Sequence, residues 1–155
     1  MTPAINSARH AGIAFQLHEY QHDATAPSYG LEAADKLGVT AEQVFKTLVV
    51  SLDGKQLAVG IVPVNSQLGL KQIAKAAGAK KAAMAAPDIV ERTTGYVLGG
   101  VSPLGQKKRL PTFIDASAQA WSTLYVSAGR RGLEIELSPE DLAALSQGRF
   151  AALSA

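Results

Sequence analysis

The chain has 155 residues, 47% of them hydrophobic, which predicts one globular domain over residues 1–155. It contains no cysteine, so disulfides, thiolate metal sites and a cysteine nucleophile are excluded. Fifteen Lys and Arg against 13 Asp and Glu give a net charge of +2, too small for tight nonspecific binding of nucleic acid. The N-terminus lacks the features of a signal peptide and no apolar run could cross a bilayer, so we expect a soluble cytoplasmic protein without membrane contact.

Capping residues, glycine stops and turn residues divide the chain into short helices and strands. Thr2 followed by Pro3 is a favoured helix start, and Gly12 and Gly38 are favoured helix ends. In chain order, the predicted elements are a helix ending at 12, a strand over 13–20, a polar loop over 21–28, a helix over 29–37, a turn over 40–43, strands over 44–52 and 56–62, helices over 70–77 and from 87 towards 93, strands over 112–115, 123–127 and 133–137, and a helix starting at 138.

Two predicted hairpins decide the fold class. Asp53-Gly54 joins the strands over 44–52 and 56–62, and the turn over 128–132 joins the last two strands. Hairpins that alternate with unevenly placed helices argue against a regular parallel βαβ sheet. We therefore expect an α+β (mixed α/β) fold, with a compact, mainly antiparallel, barrel-like sheet flanked by helices.

The segment over 95–111 carries the most information about function. It reads Gly-Tyr-Val-Leu-Gly-Gly-Val-Ser-Pro-Leu-Gly-Gln-Lys-Lys-Arg-Leu-Pro. Its glycines leave backbone N–H groups uncovered, and Pro103 fixes one φ angle. The basic residues over 107–109 offer charge to phosphate. The segment fits a rigid backbone pocket for a small acyl or nucleotide group carried on nucleic acid, or, alternatively, an ordinary turn with solvated charges.

Lys46 is the first candidate for a functional side chain. It has apolar neighbours on either face of its predicted strand, so its ammonium group is expected to line a partly enclosed cleft. Desolvation there would lower its pKa, whereas a bound phosphate or carboxylate would raise it. The alternative is a strand-end lysine whose stem packs while its ammonium group reaches water.

Familiar catalytic constellations are absent from the sequence. His18 and His22 span a strand end and a loop without suitable partners, so no metal site is expected. There is no Walker A motif, dinucleotide fingerprint or G-x-S-x-G elbow. Glu134 and Glu136 share strand parity, which fits either a carboxylate pair or a solvated sheet face. An enzyme with this inventory works by positioning and backbone hydrogen bonds, or takes its nucleophile from the substrate or from water.

Three segments together carry a resemblance to a known family. These are Phe-Lys-Thr-Leu over 45–48, the glycine-rich segment over 95–111, and Ser-Ala-Gly-Arg-Arg-Gly-Leu-Glu over 127–134. In this order they resemble the YbaK/EbsC branch of the aminoacyl-tRNA editing domains, freestanding relatives of the insertion domain of bacterial prolyl-tRNA synthetase. The resemblance covers almost the whole chain, including Thr2-Pro3-Ala4 and Tyr20, and implies the activity of a Cys-tRNA(Pro) deacylase.

The resemblance also implies which residues form the site. Lys46 corresponds to the family's central lysine and is expected to orient the substrate without forming a Schiff base. Backbone N–H groups over 99–102 would hold the substrate carbonyl as negative charge develops. Tyr29 stands where phenylalanine is common and Glu134 where aspartate is common, which leaves the preference among cysteine, alanine and serine open. The implied substrate-binding residues are Tyr20, Tyr29, Thr47, Gly99, Gly100, Val101, Ser102, Ser127, Gly129 and Glu134.

For cysteine-selective members of the family, the implied nucleophile is the thiol of the substrate itself, which would leave as a small thiolactone. The implied partners are a tRNA acceptor end and, transiently, prolyl-tRNA synthetase. We expect a monomer without metal or organic cofactor. Two alternatives stay open: a related deacylase that removes alanine or serine by water attack, and a non-catalytic module that binds tRNA or a synthetase.

Overall fold

Five α-helices and eight strands form the part of the chain that the computed structural model describes, residues 1–26 and 28–155. The helices are α1 (Pro3–Ala11), α2 (Tyr29–Leu37), α3 (Leu70–Ala77), α4 (Pro87–Thr94) and α5 (Pro139–Ser146). The strands are β1 (Gln16–Glu19), β2 (Phe45–Leu52), β3 (Gln56–Pro63), β4 (Ala82–Met84), β5 (Thr112–Asp115), β6 (Leu124–Arg130), β7 (Leu133–Leu137) and β8 (Arg149–Ala151). Short 3-10 helices occupy Ala41–Gln43 and Ala116–Ala120.

Local sequence signals account for most of these boundaries. The hydroxyl of Thr2 accepts a hydrogen bond from the N–H of Ile5, and Ser28 caps α2 in the same way. Gly12 and Gly38 are left-handed and end their helices as predicted. The short strands β4 and β8 were not predicted. The predicted loop over 21–28 includes Pro27, which lies outside the described residues.

The strands form two sheets. One is antiparallel, with the order β1-β7-β6, and the other has the order β4-β2-β3-β5-β8. In the second sheet β2 pairs antiparallel with β3 and β4, whereas β3–β5 and β5–β8 are parallel. A parallel bridge between Val44 and Tyr125 connects the sheets. The α+β class is confirmed, and the strands lie in two joined sheets that do not close into a barrel. The pairings of β5 with β3 and β8 are parallel and therefore need crossover connections.

Three clusters of buried side chains surround the sheets. The largest contains Phe45 and Ile61 of the five-stranded sheet together with Ile135 of the other sheet. A second cluster packs the opposite face of β2 and β3 against Ile73 of α3. A third, smaller cluster joins α2 to the start of β2 and to Tyr125. This third cluster fixes the middle of α2, through Ala33 and Ala34, beside the junction of the two sheets. In the described part of the chain, no helix has the length and apolarity that a membrane crossing requires.

Candidate active site

A cavity of about 350 Å³ lies where the two sheets meet. Its walls come from the start of β2, the N-terminal end of α2, the glycine-rich loop between α4 and β5, and the strands β6 and β7. The lining residues are Tyr20, Ser28, Tyr29, Gly30, Val44, Phe45, Lys46, Thr47, Leu48, Val64, Leu98, Gly99, Val101, Ser127 and Glu134. Apolar walls with a few polar groups are typical of small-ligand sites.

Lys46 and Thr47, the second and third residues of β2, both line the cavity. Lys46 is half-buried, and desolvation lowers the pKa of its ammonium group below the usual value. No carboxylate among residues 1–26 and 28–155 forms an ion pair with Lys46 within 4.0 Å. The buried Oγ1 of Thr47 also has no hydrogen-bond partner in this part of the chain. The Lys46 cation is therefore available to a ligand, and the Thr47 hydroxyl is an unsatisfied polar group in the cavity wall.

Glu134 provides the only carboxyl group among the residues that line this cavity. Strand β7 places it opposite His18 of β1 and Ser127 of β6, and only 7% of the residue is exposed. Burial raises the pKa of the carboxyl group to about 8. At pH 7 Glu134 is therefore mostly protonated and able to donate as well as to accept a hydrogen bond.

Glu136, two residues further along β7, has a different environment. Its carboxylate accepts hydrogen bonds from His18 Nε2 at 2.9 Å and from Thr123 Oγ1 at 2.6 Å. Burial raises the pKa of Glu136, but these hydrogen bonds outweigh burial and lower it. Glu136 does not line the cavity. The two glutamates therefore do not act as a carboxylate pair, although they share strand parity.

The glycine-rich loop presents two of its four predicted positions to the cavity, Gly99 and Val101. Gly99 has φ of +83°, a conformation that favours glycine. The N–H of Gly100 donates to the carbonyl oxygen of Val97 at 2.9 Å. No acceptor for the N–H of Gly99 or Val101 is found in the described residues. These two amides, rather than that of Gly100, are therefore available to a ligand's carbonyl oxygen.

Two tyrosines form part of the cavity wall. Tyr20 is half-buried beyond the end of β1, and burial, followed by the charges of Glu134 and Glu32, raises its pKa to about 12. Tyr29, the first residue of α2, is 41% exposed. Tyr20 therefore remains a neutral hydrogen-bond donor at all physiological pH values, and Tyr29 forms a partly solvated edge of the cavity.

Eight of the eleven residues predicted for the site line the cavity, and three do not. Gly100 packs on the β6–β7 turn, where a Cβ atom would lie 2.8 Å from Arg130 Cα. Ser102 is fully buried, and its Oγ accepts a hydrogen bond from the N–H of Leu104 at 3.2 Å. Gly129 lies against Thr2 and Tyr96. The structure therefore gives these three residues contacts that shape the loop and the turn behind the cavity.

Part of the cavity wall was not predicted. Gly30 approaches Val64 so closely that a Cβ atom would lie 2.3 Å from Val64 Cγ1. Val64 and Leu98 are apolar wall residues. Apolar residues of this kind are indistinguishable in sequence from ordinary core residues. For Gly30, the only available signal was a glycine inside a helical pattern.

Two of the three histidines contact carboxylates outside the cavity. His18 contacts Glu136, and His22 Nδ1 lies 2.7 Å from Glu32 Oε1. Within residues 1–26 and 28–155, no three His, Cys, Asp or Glu side chains are close enough together to hold a metal ion. The cavity therefore offers a cation, a protonated carboxyl group, a free hydroxyl and backbone N–H groups. Such groups bind and polarise a small acyl group, but among them there is no histidine–nucleophile pair.

Comparisons with known proteins agree with this arrangement. The model of the aminoacyl-tRNA editing domain matches residues 25–145. An Enterococcus faecalis protein named "Putative Cys-tRNA(Pro)/Cys-tRNA(Cys) deacylase EbsC" is 44% identical over 121 residues, which is 78% of this chain and 74% of that protein. The uncharacterized protein YwhH of Bacillus subtilis is 29% identical over 115 residues, 74% of this chain and 73% of that protein.

A solved structure described as "a putative trans-editing enzyme for prolyl tRNA synthetase" has the same fold. It superposes with a TM-score of 0.86 at 22% identity, covering 100% of this chain and 99% of that one. The family match includes every residue that lines the cavity except Tyr20. The chain belongs to the aminoacyl-tRNA editing domain family.

Proposed function

We propose that this chain is a trans-editing deacylase that removes cysteine from mischarged Cys-tRNA(Pro). The observation that carries the proposal is a cavity in which Lys46, Glu134 and Thr47 have no partners among the described residues, beside free backbone amides. The 44% identity to a protein named for Cys-tRNA deacylation supports the choice of amino acid. The chain acts as a single editing domain over residues 1–155.

The amino-acid site of prolyl-tRNA synthetase can accept cysteine by mistake because cysteine and proline are close in size. A pocket distinguishes two side chains of such similar size by only about 10- to 200-fold, so a second site is required to remove the wrongly attached amino acid. In the proposed reaction, that second site uses the chemical difference between the amino acids, since cysteine has a thiol and proline has none.

The proposed nucleophile is the substrate's own thiolate, because the chain has no cysteine and the cavity no histidine. The sulfur attacks the ester carbonyl carbon and forms a carbon–sulfur bond. The tetrahedral intermediate then collapses, and the bond between the carbonyl carbon and the ribose oxygen breaks. The ribose oxygen takes up a proton from water, which replaces the one that the thiol released on ionising, giving deacylated tRNA and a cysteine thiolactone, which water later opens to free cysteine.

Three groups of the chain assist this reaction. The Lys46 ammonium group attracts the phosphate or the aminoacyl end and holds the ester in place. The amides of Gly99 and Val101 donate to the carbonyl oxygen, where negative charge develops. Glu134 faces the substrate's amino group, and a cation bound there would lower the pKa of this buried carboxyl group.

The proposed partners are the acceptor end of tRNA and, transiently, prolyl-tRNA synthetase. A chain of 155 residues with a net charge of +2 has little surface for recognising a whole tRNA. We therefore assign tRNA selection mainly to the synthetase, and the chemistry to this chain as a cytoplasmic monomer.

Deacylation of Cys-tRNA(Pro), Ser-tRNA(Pro) and Ala-tRNA(Pro) by the purified protein, with a chelator present, tests the function. We expect rapid loss of the cysteinyl ester alone, with a thiolactone that a thiol-reactive probe distinguishes from free cysteine. Cleavage of the seryl or alanyl ester at the same rate would contradict the thiol mechanism and favour attack by water. No cleavage of any ester by folded protein would contradict deacylation and favour a binding module.

A further inference from the structure

We propose that Arg131 is a positioning residue that fixes the mouth of the cavity by holding Tyr29 of α2 against the glycine-rich loop. Arg131 lies in the β6–β7 turn and does not line the cavity. The kinetic consequence rests on the proposed function, whereas the contact itself is a property of the fold. The two are tested by separate measurements below.

The contacts of Arg131 bring together two parts of the chain that are far apart in sequence. Its Nε donates a hydrogen bond to the carbonyl oxygen of Leu98 at 2.9 Å. Its guanidinium carbon lies 4.8 Å from the centroid of the Tyr29 ring. The first contact holds the glycine-rich loop, and the second is a cation–π contact with α2. Both Leu98 and Tyr29 line the cavity, so one exposed side chain holds two of its walls.

Gly99 shows how closely these parts approach. A Cβ atom at residue 99 would lie 2.8 Å from Arg131 Nε and 2.9 Å from carbon atoms of the Tyr29 ring. The absence of a side chain at Gly99 therefore allows the ring and the guanidinium group to approach the loop backbone together. The next residue, Gly100, packs on the backbone of Arg130 and Arg131 in the same turn. The loop, the turn and the start of α2 thus form one contact unit.

Arg130 provides a natural contrast to Arg131. Its guanidinium group lies 3.7 Å from the carboxylate of Glu19, in an exposed ion pair that contributes little. In the described part of the chain, Arg131 has no carboxylate within 4.0 Å. Its charge therefore faces the Tyr29 ring and the Leu98 carbonyl oxygen. Two adjacent arginines of equal charge thus have different contacts.

The expected role of Arg131 follows from the exposure of the Tyr29 ring. The residue is 41% exposed, and its ring centroid lies 5.6 Å from that of His22. Without the guanidinium group, the ring and the loop would sample other positions, and part of the cavity mouth would no longer be preformed. Substrate binding would then require ordering of these groups, which weakens binding. We therefore expect an effect on KM rather than on kcat.

The kinetic test compares Arg131→Gln with the matched variant Arg130→Gln, using Cys-tRNA(Pro). Arg131→Gln should raise KM about fivefold with kcat within about twofold, and Arg130→Gln should change neither by more than about twofold. In the Tyr29→Leu background, Arg131→Gln should raise KM less than it does in the wild type, because only the contact with the Leu98 carbonyl oxygen is then lost. Equal effects of the two arginine variants, or an undiminished effect of Arg131→Gln in the Tyr29→Leu background, would overturn the proposal in favour of direct attraction of RNA.

Hydrogen exchange without RNA tests the contact independently of any activity. Arg131→Gln should accelerate exchange of the Gly100 amide, which is hydrogen-bonded to Val97, about fivefold and leave the amides of β3 unchanged, while Arg130→Gln should leave both unchanged. Unaltered exchange of the Gly100 amide in the folded Arg131→Gln variant would overturn the proposal. If the wild-type protein cleaved no aminoacyl ester but the exchange result held, the proposed function would fail and the positioning contact would stand.

Discussion

Two buried glutamates, Glu32 and Glu134, lie in regions that shift the pKa of a carboxyl group in opposite directions. Glu32, on α2, accepts hydrogen bonds from the Asp23 N–H at 2.6 Å, His22 Nδ1 at 2.7 Å and Lys36 Nζ at 3.1 Å. Burial raises the pKa of Glu32, but these donors outweigh burial and lower it. Glu134 has no such donors among the described side chains, and burial raises its pKa to about 8.

The comparison separates groups that stabilise the fold from groups that are available to a ligand. The network around Glu32 anchors the segment before α2 to the helix, and each of its polar groups has a partner. In the cavity, Lys46, Thr47 and Glu134 are desolvated without equivalent partners in the described residues. Desolvated groups without partners lower stability, so their presence in one cavity is better explained by binding than by folding.

The largest expected effect comes from removing the charge of Lys46. Lys46→Met keeps most of the packed stem and removes the ammonium group, so we expect kcat/KM for Cys-tRNA(Pro) to fall about 1,000-fold, or about 4 kcal/mol. The free energy of unfolding should not decrease, because the ammonium group is desolvated without an ion-pair partner in the described chain. Single-turnover deacylation and urea unfolding measure the two effects.

Lys36→Met is the matched control for this variant. Lys36 pairs with Glu32 at 3.1 Å and lies outside the cavity. Its replacement should lower the free energy of unfolding and leave deacylation by the folded protein within about twofold. A folded Lys46→Met variant with wild-type activity would refute the assignment of the cavity as the active site.

Replacing Glu32 should have the next largest effect, this time on stability. Glu32→Ala leaves one backbone N–H and two cationic or polar side chains without their acceptor. We expect a decrease of about 3 kcal/mol in the free energy of unfolding, at the low end for a buried pair because Lys36 and His22 are partly exposed. Urea unfolding at pH 7 measures it. A change below about 1 kcal/mol would remove the distinction between the two regions.

The stabilising network and the cavity differ in how far sequence predicts them. Helix caps such as Thr2 and stops such as Gly38 are local, so most element boundaries were predicted correctly. Strands β4 and β8 have three residues each and lie at the two edges of their sheet, with too few residues to show a period. The parallel pairing of β5 with β3 and β8 depends on contacts distant in sequence.

The site was predicted through its motif residues more than through its walls. The resemblance selected Lys46 and Glu134, and both line one cavity. It did not reveal that the Gly100 amide is bonded to Val97, or that Arg131 contacts Tyr29. These features depend on the distance between loops, which no local pattern encodes. The acceptor role of Glu32 was missed for the same reason, since its partner His22 belongs to a loop.

The pH dependence of stability should distinguish the two glutamates. Folding raises the pKa of Glu134 from 4.5 to about 8. Its contribution to the free energy of unfolding is therefore fully present below pH 4.5 and is lost as the pH rises towards 8. Glu32 has a lowered pKa, so its contribution is present above pH 4.5 and is lost as the pH falls through its folded-state value.

Glu134→Gln tests the direction in which the ionisation of Glu134 changes stability with pH. The amide does not ionise, so the free energy of unfolding of the variant relative to wild type should rise by up to about 1.4 kcal/mol per pH unit from pH 5 to 7, and less steeply as the pH approaches 8. Urea unfolding at pH 5, 6, 7 and 8 measures the slope. Glu136→Gln is the control, because the pKa of the Glu136 carboxyl group is lowered rather than raised. Parallel stability profiles of Glu134→Gln and wild type would show that the carboxyl group is ionised in the cavity.

The smallest effect on stability is expected at Thr47, where function and stability should move in opposite directions. Thr47→Val replaces a buried hydroxyl that has no partner in the described residues with a methyl group of similar size. Removing an unsatisfied polar atom should raise the free energy of unfolding by up to about 1 kcal/mol. If the hydroxyl bonds to the aminoacyl end, the same change should lower kcat/KM about tenfold. A variant that is less stable than wild type and fully active would show that the hydroxyl is satisfied within the fold by ordered water. Thr47 would then belong with Glu32 among the groups that hold the structure together.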